Sequence, residues 1–130
     1  MDTNKIVKFW LNQTNRDWQA TKSLFRAKHY SHALFFCHLT LEKLLKAIIV
    51  KQTKKQSSFL HDLLLLVKQT NIQLNKEQID QLNEISTFNI RARYDDIKYQ
   101  FYQKATKNYA SKYFNITKKL ILWLKNYLKE

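Results

Sequence analysis

Apolar residues recur at helical spacing through most of the chain. Ile6, Phe9, Trp10, Ala20, Leu24 and Ala27 mark a first helix running to about residue 28, with Asp2-Thr3-Asn4 as its N-cap. Thr14 and Asp17 fall near the same stripe. A polar group there must bond across a helix bundle or face a cleft. Lys28-His29-Tyr30 reads as a turn and Ser31 as the next N-cap. The second helix spans about His32 to Lys51 and is apolar on more than one side, through Ala33, Leu34, Phe35, Phe36, Leu39, Leu41, Leu44, Leu45, Ile48 and Ile49. A helix apolar nearly all round belongs in the centre of a bundle.

Lys51 to Ser58 is a polar connection, expected to be mobile. A short third helix follows at Leu63-Leu64-Leu65-Leu66-Val67, after His61-Asp62. Asn71 to Asn75 makes the next turn. Asn75 caps a fourth helix, with Glu77 and Gln78 in its first turn and Ile79, Leu82, Ile85, Phe88 and Ala92 as its core stripe. Tyr94 to Tyr102 is less regular and reads as a loop or broken turn. A last helix from about Thr106 to Lys129 carries Tyr109, Tyr113, Ile116, Leu120, Trp123, Leu124 and Tyr127 on one face. The expected fold is all-α: an up-and-down bundle of about five helices, forming a single domain over residues 1–130.

Composition sharpens this picture. The chain has no glycine and no proline, where an average chain has about 7 % and 5 %. Hairpin turns with positive φ lean on glycine, so a β-rich fold is disfavoured. A lone Cys37 excludes a disulfide framework and makes a reducing, cytoplasmic setting the default. No apolar run approaches the ~20 residues that span a membrane. The formal net charge of +13 favours polyanions or an acidic partner, although base composition alone also enriches lysine.

Arginine is used sparingly. Of 23 basic residues only Arg16, Arg26, Arg91 and Arg93 are arginine, and two of these sit together in Phe88-Asn89-Ile90-Arg91-Ala92-Arg93-Tyr94-Asp95-Asp96. The guanidinium is a planar fork that grips phosphate or carboxylate with paired hydrogen bonds. Arg91 and Arg93 are therefore candidate anion ligands, and the competing assignment is a structural clamp onto Asp95, Asp96 or Glu42. Glu42 and Lys46 form an i,i+4 pair on the mostly buried second helix, where a carboxylate must be paired or functional. His61-Asp62 reads as a helix cap before it reads as a catalytic pair. His29, His32, Cys37 and His38 lack zinc-finger spacing, so no metal site and no cofactor is assigned.

Three segments in order resemble the HEPN family (higher eukaryotes and prokaryotes nucleotide-binding). They are His29-Tyr30-Ser31-His32-Ala33 running into Leu41-Glu42-Lys43-Leu44-Leu45-Lys46-Ala47, then His61-Asp62-Leu63, then Arg91-Ala92-Arg93-Tyr94. The resemblance covers about residues 16 to 128. It implies a helical bundle that pairs as a homodimer, with the arginine motifs of both chains facing a shared cleft. Many family members are metal-independent ribonucleases whose motif is an arginine, four to six residues, then a histidine. Many are toxins paired with a minimal nucleotidyltransferase (MNT), and a variant motif ends in a tyrosine that some partner enzymes modify with AMP.

No histidine follows Arg93 here; the histidines are His29, His32, His38 and His61. The tyrosine form does match, with Arg93, five residues, then Tyr99. Arg26 and His32 fit the histidine spacing only formally, across the first turn. The resemblance thus implies Arg93 and Tyr99 as a catalytic pair with Arg91 as accessory, and Tyr99 as a candidate AMP-modification site. Arg91, Arg93, Lys98, Glu42 and Lys46 are the candidate RNA- or nucleotide-binding set. The expected function is a metal-independent endoribonuclease toxin of a HEPN/MNT pair, with RNA or nucleotide, a second copy and an acidic nucleotidyltransferase as partners. The alternative is a non-catalytic nucleotide- or partner-binding module, and Tyr99, a poor base with a free pKa of ~10, is what keeps it open. A third reading is an adaptor that binds an acidic protein through its lysines.

Overall fold

The computed structural model describes residues 1–92 and 95–129, and the side chains of all of these except 95–97. Six α-helices form among them: α1 (Thr3–Arg26), α2 (Tyr30–Thr53), α3 (Leu63–Val67), α4 (Lys76–Arg91), α5 (Asp95–Lys104) and α6 (Lys107–Lys125), followed by a 3₁₀ turn at Asn126–Leu128. The all-α bundle expected from the apolar periodicity is the fold observed. Helix α2 is its axis: it packs against every other α-helix, and its apolar residues from Leu34 to Val50 are nearly all buried. That is what its all-round apolar sequence demanded.

Helix α1 starts where Asp2 accepts a hydrogen bond from the Lys5 N–H at 3.2 Å. Its core face differs from the expected stripe. Phe9 and Ala27 are exposed, while Thr14 and Thr21 are fully buried against α2. Threonine serves there because each hydroxyl bonds back to a carbonyl one turn earlier, Thr14 to Trp10 at 2.8 Å and Thr21 to Asp17 at 2.7 Å. The hydroxyl is thereby satisfied and the small side chain lets two helices approach closely. Asp17 bonds across the bundle, with an oxygen 2.6 Å from the Lys43 ammonium.

Ser31 is not the N-cap of α2. The turn closes earlier, at Lys28, whose φ of 66° reverses the chain so that the His29 N–H reaches the Leu24 carbonyl at 2.9 Å. Ser31 then falls inside the first helical turn. At the other end α2 continues through Lys51 to Thr53, beyond the expected boundary, and Lys54 ends it with φ 59°. Lysine occupies both left-handed positions among the described residues, in a chain with no glycine to offer.

Asp62 caps α3, accepting from the N–H groups of Leu64 and Leu65, and Asn75 caps α4 in a reciprocal capping box with Gln78. Helix α4 buries Leu82, Ile85 and Phe88 as expected, but exposes Ile79. The segment expected to be a loop is helical from Asp95 to Lys104. Phe101 anchors it: this ring is buried and lies 5.4 Å from Phe88, centroid to centroid. Helix α5 exposes Tyr99 and Tyr102, so it has little apolar periodicity to announce it. Helix α6 begins at its Thr106 cap and closes the bundle through Tyr113, Leu120, Ile121 and Leu124. Phe114 of α6 stacks on Trp18 and Phe25 of α1 at 5.0 and 4.6 Å.

Candidate functional site

Helix α4 delivers Arg91 in its last turn, beside the second half of α5 and near Tyr109 in the first turn of α6. The Arg91 side chain lines a small pocket of about 150 Å³ with Gln100, Phe101 and Lys104. Its Nη1 is buried and has no hydrogen-bond partner among the described residues. Beside it stands Glu84, seven residues earlier on α4 and so on the same helix face. One Glu84 oxygen receives the Tyr109 hydroxyl at 2.5 Å and the Lys104 ammonium at 3.1 Å. Lys104 also lies 5.1 Å from the centroid of the Tyr109 ring.

Burial pushes the Glu84 carboxyl up, but hydrogen bonds from Tyr109 and Lys104, with the Lys104 and Arg91 charges, outweigh it and hold the group below the usual carboxylate range. Tyr109 is driven the other way, by burial first and then by its bond to Glu84, well above an ordinary phenol. Tyr113 is raised by burial and by the same carboxylate. Both tyrosines therefore stay protonated at neutral pH and cannot act as bases. This end of the bundle gathers a guanidinium with one buried, unpartnered N–H and the Lys104 ammonium around one carboxylate.

Tyr99 sits on α5 with 64 % of its surface exposed. Its hydroxyl accepts a hydrogen bond from the Gln103 amide at 3.4 Å. Lys98 beside it is exposed. Arg93 and Tyr94 lie outside the described residues, as do the side chains of Asp95 and Asp96, and with them the proposed clamp of either arginine onto those aspartates.

Glu42 and Lys46 form a second polar cluster. They are only 4 % and 6 % exposed and bond to each other at 3.1 Å. The other Glu42 oxygen takes the His61 Nδ1 hydrogen at 2.9 Å, and His38 donates from Nε2 to the His61 carbonyl at 2.8 Å. Lys46 lies over the Trp10 ring at 5.3 Å. Little of either head group is accessible to a ligand. Among the described residues no hydrogen bond or ion pair joins this cluster to Arg91, Lys98 or Tyr99.

Three residues around Arg91 escaped sequence reasoning: Glu84, Lys104 and Tyr109. The i,i+7 spacing of Glu84 and Arg91 was the one signal to follow. Nothing in the sequence places Lys104 or Tyr109 against them, because that contact depends on how α5 and α6 pack. His61 is also more than a turn residue, since it orients on Glu42 while Asp62 does the capping.

No curated protein sequence matches the chain. The crystal structure of TT1696 from Thermus thermophilus superposes with a TM-score of 0.79 at 16 % identity, covering 93 % of this chain and 97 % of that one. At that identity the likeness is one of fold. No helix among the described residues is long and apolar enough to cross a membrane. A family model for the HEPN domain matches residues 7–127. Spanning nearly all of the helices built above, from the first turns of α1 to the 3₁₀ turn, that match shows that the chain belongs to the HEPN family.

Proposed function

We propose that this protein is a HEPN-type, RNA-targeting, metal-independent endoribonuclease, and that it is the toxin of a pair whose other half is an acidic minimal nucleotidyltransferase. Family membership supports the RNA-related part of this reading. The observation that carries the finer part is the pocket at the end of α4, which Arg91 and Lys104 line and where Arg91 keeps one buried guanidinium N–H without a partner among the described residues. The +13 charge draws a polyanion to it. As in the family's habit, two copies would bring two such ends to a shared cleft.

In this reading the RNA 2′-oxygen attacks the adjacent phosphorus and the bond to the 5′-oxygen breaks. One proton leaves the 2′-hydroxyl and one reaches the departing oxygen. The products are a 2′,3′-cyclic phosphate and a 5′-hydroxyl, with no net consumption of water or metal. Arg91 and Arg93 offset the charge that builds on phosphorus, and Tyr99 handles a proton. Tyr99 is open to solvent on α5, which also suits it to receive AMP from the partner enzyme. Expression of the wild-type chain should arrest cell growth and Arg93→Ala should relieve the arrest. Unhindered growth with both chains would remove the toxin reading.

One observation favours the non-catalytic alternative. The hydrogen bond to Tyr99 comes from the neutral amide of Gln103, and no cation contacts its hydroxyl among the described residues. In that version the arginines bind a nucleotide or RNA phosphate without chemistry.

A further inference from the structure

A second feature lies away from the arginine end, where the first turns of α1 meet the connection between α2 and α3. A pocket of about 250 Å³ opens there, walled by Phe9, Trp10 and Phe59, with Lys46, Gln56 and Ser57 among its lining groups. The exposure of its aromatics is unusual. Phe59 is 95 % exposed and Phe9 is 52 % exposed, so the Phe59 ring gains almost nothing from burial in this chain and the Phe9 ring only part of what it could. Trp10, by contrast, is held: Phe9 packs edge-on against it at 5.1 Å, and the Lys46 ammonium lies over its ring. Lys46 is itself fixed by Glu42, and Glu42 by His61. The buried cluster thus acts as the back support of an aromatic pocket.

The polar lining is free to bind. Neither the Gln56 amide nor the Ser57 hydroxyl makes a hydrogen bond among the described residues. The surroundings are basic: Lys5 and Lys8 flank Phe9 on α1, and Lys54 and Lys55 precede Gln56, all exposed. Glu42, the carboxylate behind Lys46, is taken up by Lys46 and His61.

We propose that this pocket receives an unpaired nucleobase of single-stranded RNA, stacked between the Phe9 and Phe59 rings over Trp10, while the flanking lysines hold the adjoining phosphates. Stacking accepts any base because every base has a π-face, and Gln56 and Ser57 meet its polar edge. The basic rim fits a phosphate backbone, and an aromatic-walled pocket with a free amide fits a base better than an aliphatic side chain. The inference rests on the RNA reading above but not on cleavage. It supplies a holding site for the strand remote from the Arg91 pocket.

The test is binding of an eight-nucleotide oligo(U) or oligo(A), followed by tryptophan fluorescence, in wild type, Phe59→Ala, Phe9→Ala, Trp10→Phe and Arg91→Ala, with an RNA duplex as control. Phe59 is so exposed that its removal should leave the fold intact, which circular dichroism checks. Phe59→Ala and Phe9→Ala should each weaken single-strand binding roughly fivefold or more, with duplex binding unchanged and the fluorescence change lost in Trp10→Phe. Equal losses on single strand and duplex, or no loss in either phenylalanine variant, overturn the proposal while leaving the arginine site standing. A shift from dimer to monomer in the phenylalanine variants without a change in RNA affinity also overturns it and makes the patch a contact between copies. No binding of RNA by wild type removes both this proposal and the RNA reading.

Discussion

The Tyr109 hydroxyl on α6 donates to the Glu84 carboxylate on α4, and Arg91 sits two turns further along the same face of α4 with a buried N–H left over. That bond ties the last helix to the helix that carries Arg91. Hydrogen bonds to charged groups are worth about 1.5–3 kcal/mol. Glu84 and Tyr109 are both partly open to solvent, so Tyr109→Phe should cost nearer the lower end, about 1–2 kcal/mol in urea unfolding.

The same pair sets a pH dependence with a definite sign. Tyr109 is raised above its unfolded value of about 10. Its contribution is therefore complete below that pH and is lost as the phenol ionises above it. Glu84 is lowered, so its contribution is present above about pH 4.3 and fades as pH falls below that. Stability should thus fall at both extremes, and Tyr109→Phe should flatten the alkaline limb. An alkaline limb unchanged by the substitution would contradict this assignment.

Glu42 is a buried carboxylate held by Lys46 and His61. Removing it alone strands a buried ammonium, and Glu42→Ala should destabilise by about 3–5 kcal/mol. Replacing the pair together, Glu42→Leu with Lys46→Met, should recover most of that loss, because the desolvation of two charges is relieved at once. Thermal unfolding of Glu42→Leu, Lys46→Met and the double variant measures the coupling.

Lys28 and Lys54 hold left-handed backbone at φ 66° and 59°. A non-glycine residue there costs roughly 1–2 kcal/mol, of which glycine's extra freedom in the unfolded chain returns about half. Lys28→Gly and Lys54→Gly should therefore each stabilise by about 0.5–1 kcal/mol. The midpoint of urea unfolding should rise for each, with an unchanged slope.

Much of the fold was legible in the sequence, and the failures share a cause. The apolar run of α2, the Asn75 cap and the Leu63–Val67 helix are local signals, and each reappears at its expected place. Helix α5 was missed because, among its described side chains, Phe101 alone is buried, and one buried ring has no period. The face of α1 was misjudged because its buried positions are threonines, whose burial depends on a neighbour's close approach. At the candidate site, Arg91 was singled out by residue type and Tyr99 by the motif that the family resemblance implies. Glu84, Lys104 and Tyr109 were not, because three separate helices bring them together.

Cys37 is buried in α2, and burial pushes its thiol up to about 12 despite the Thr117 hydroxyl beside it. A thiol reagent acts on the thiolate. Labelling of the folded protein at pH 8 should be slow and should accelerate sharply in denaturant. Rapid labelling of the native chain would show that α2 is less well covered than its burial indicates.

The central claim is a ribonuclease centre at the end of α4, and one measurement addresses it most directly. Purified wild type, Arg91→Ala and the Arg93→Ala/Tyr99→Phe variant are incubated with mixed cellular RNA in EDTA. The account predicts cleavage by wild type, products ending in 2′,3′-cyclic phosphate, a reduced rate in Arg91→Ala and none in the double variant. RNA left intact by wild type while still bound would contradict catalysis and leave the arginines as anion ligands.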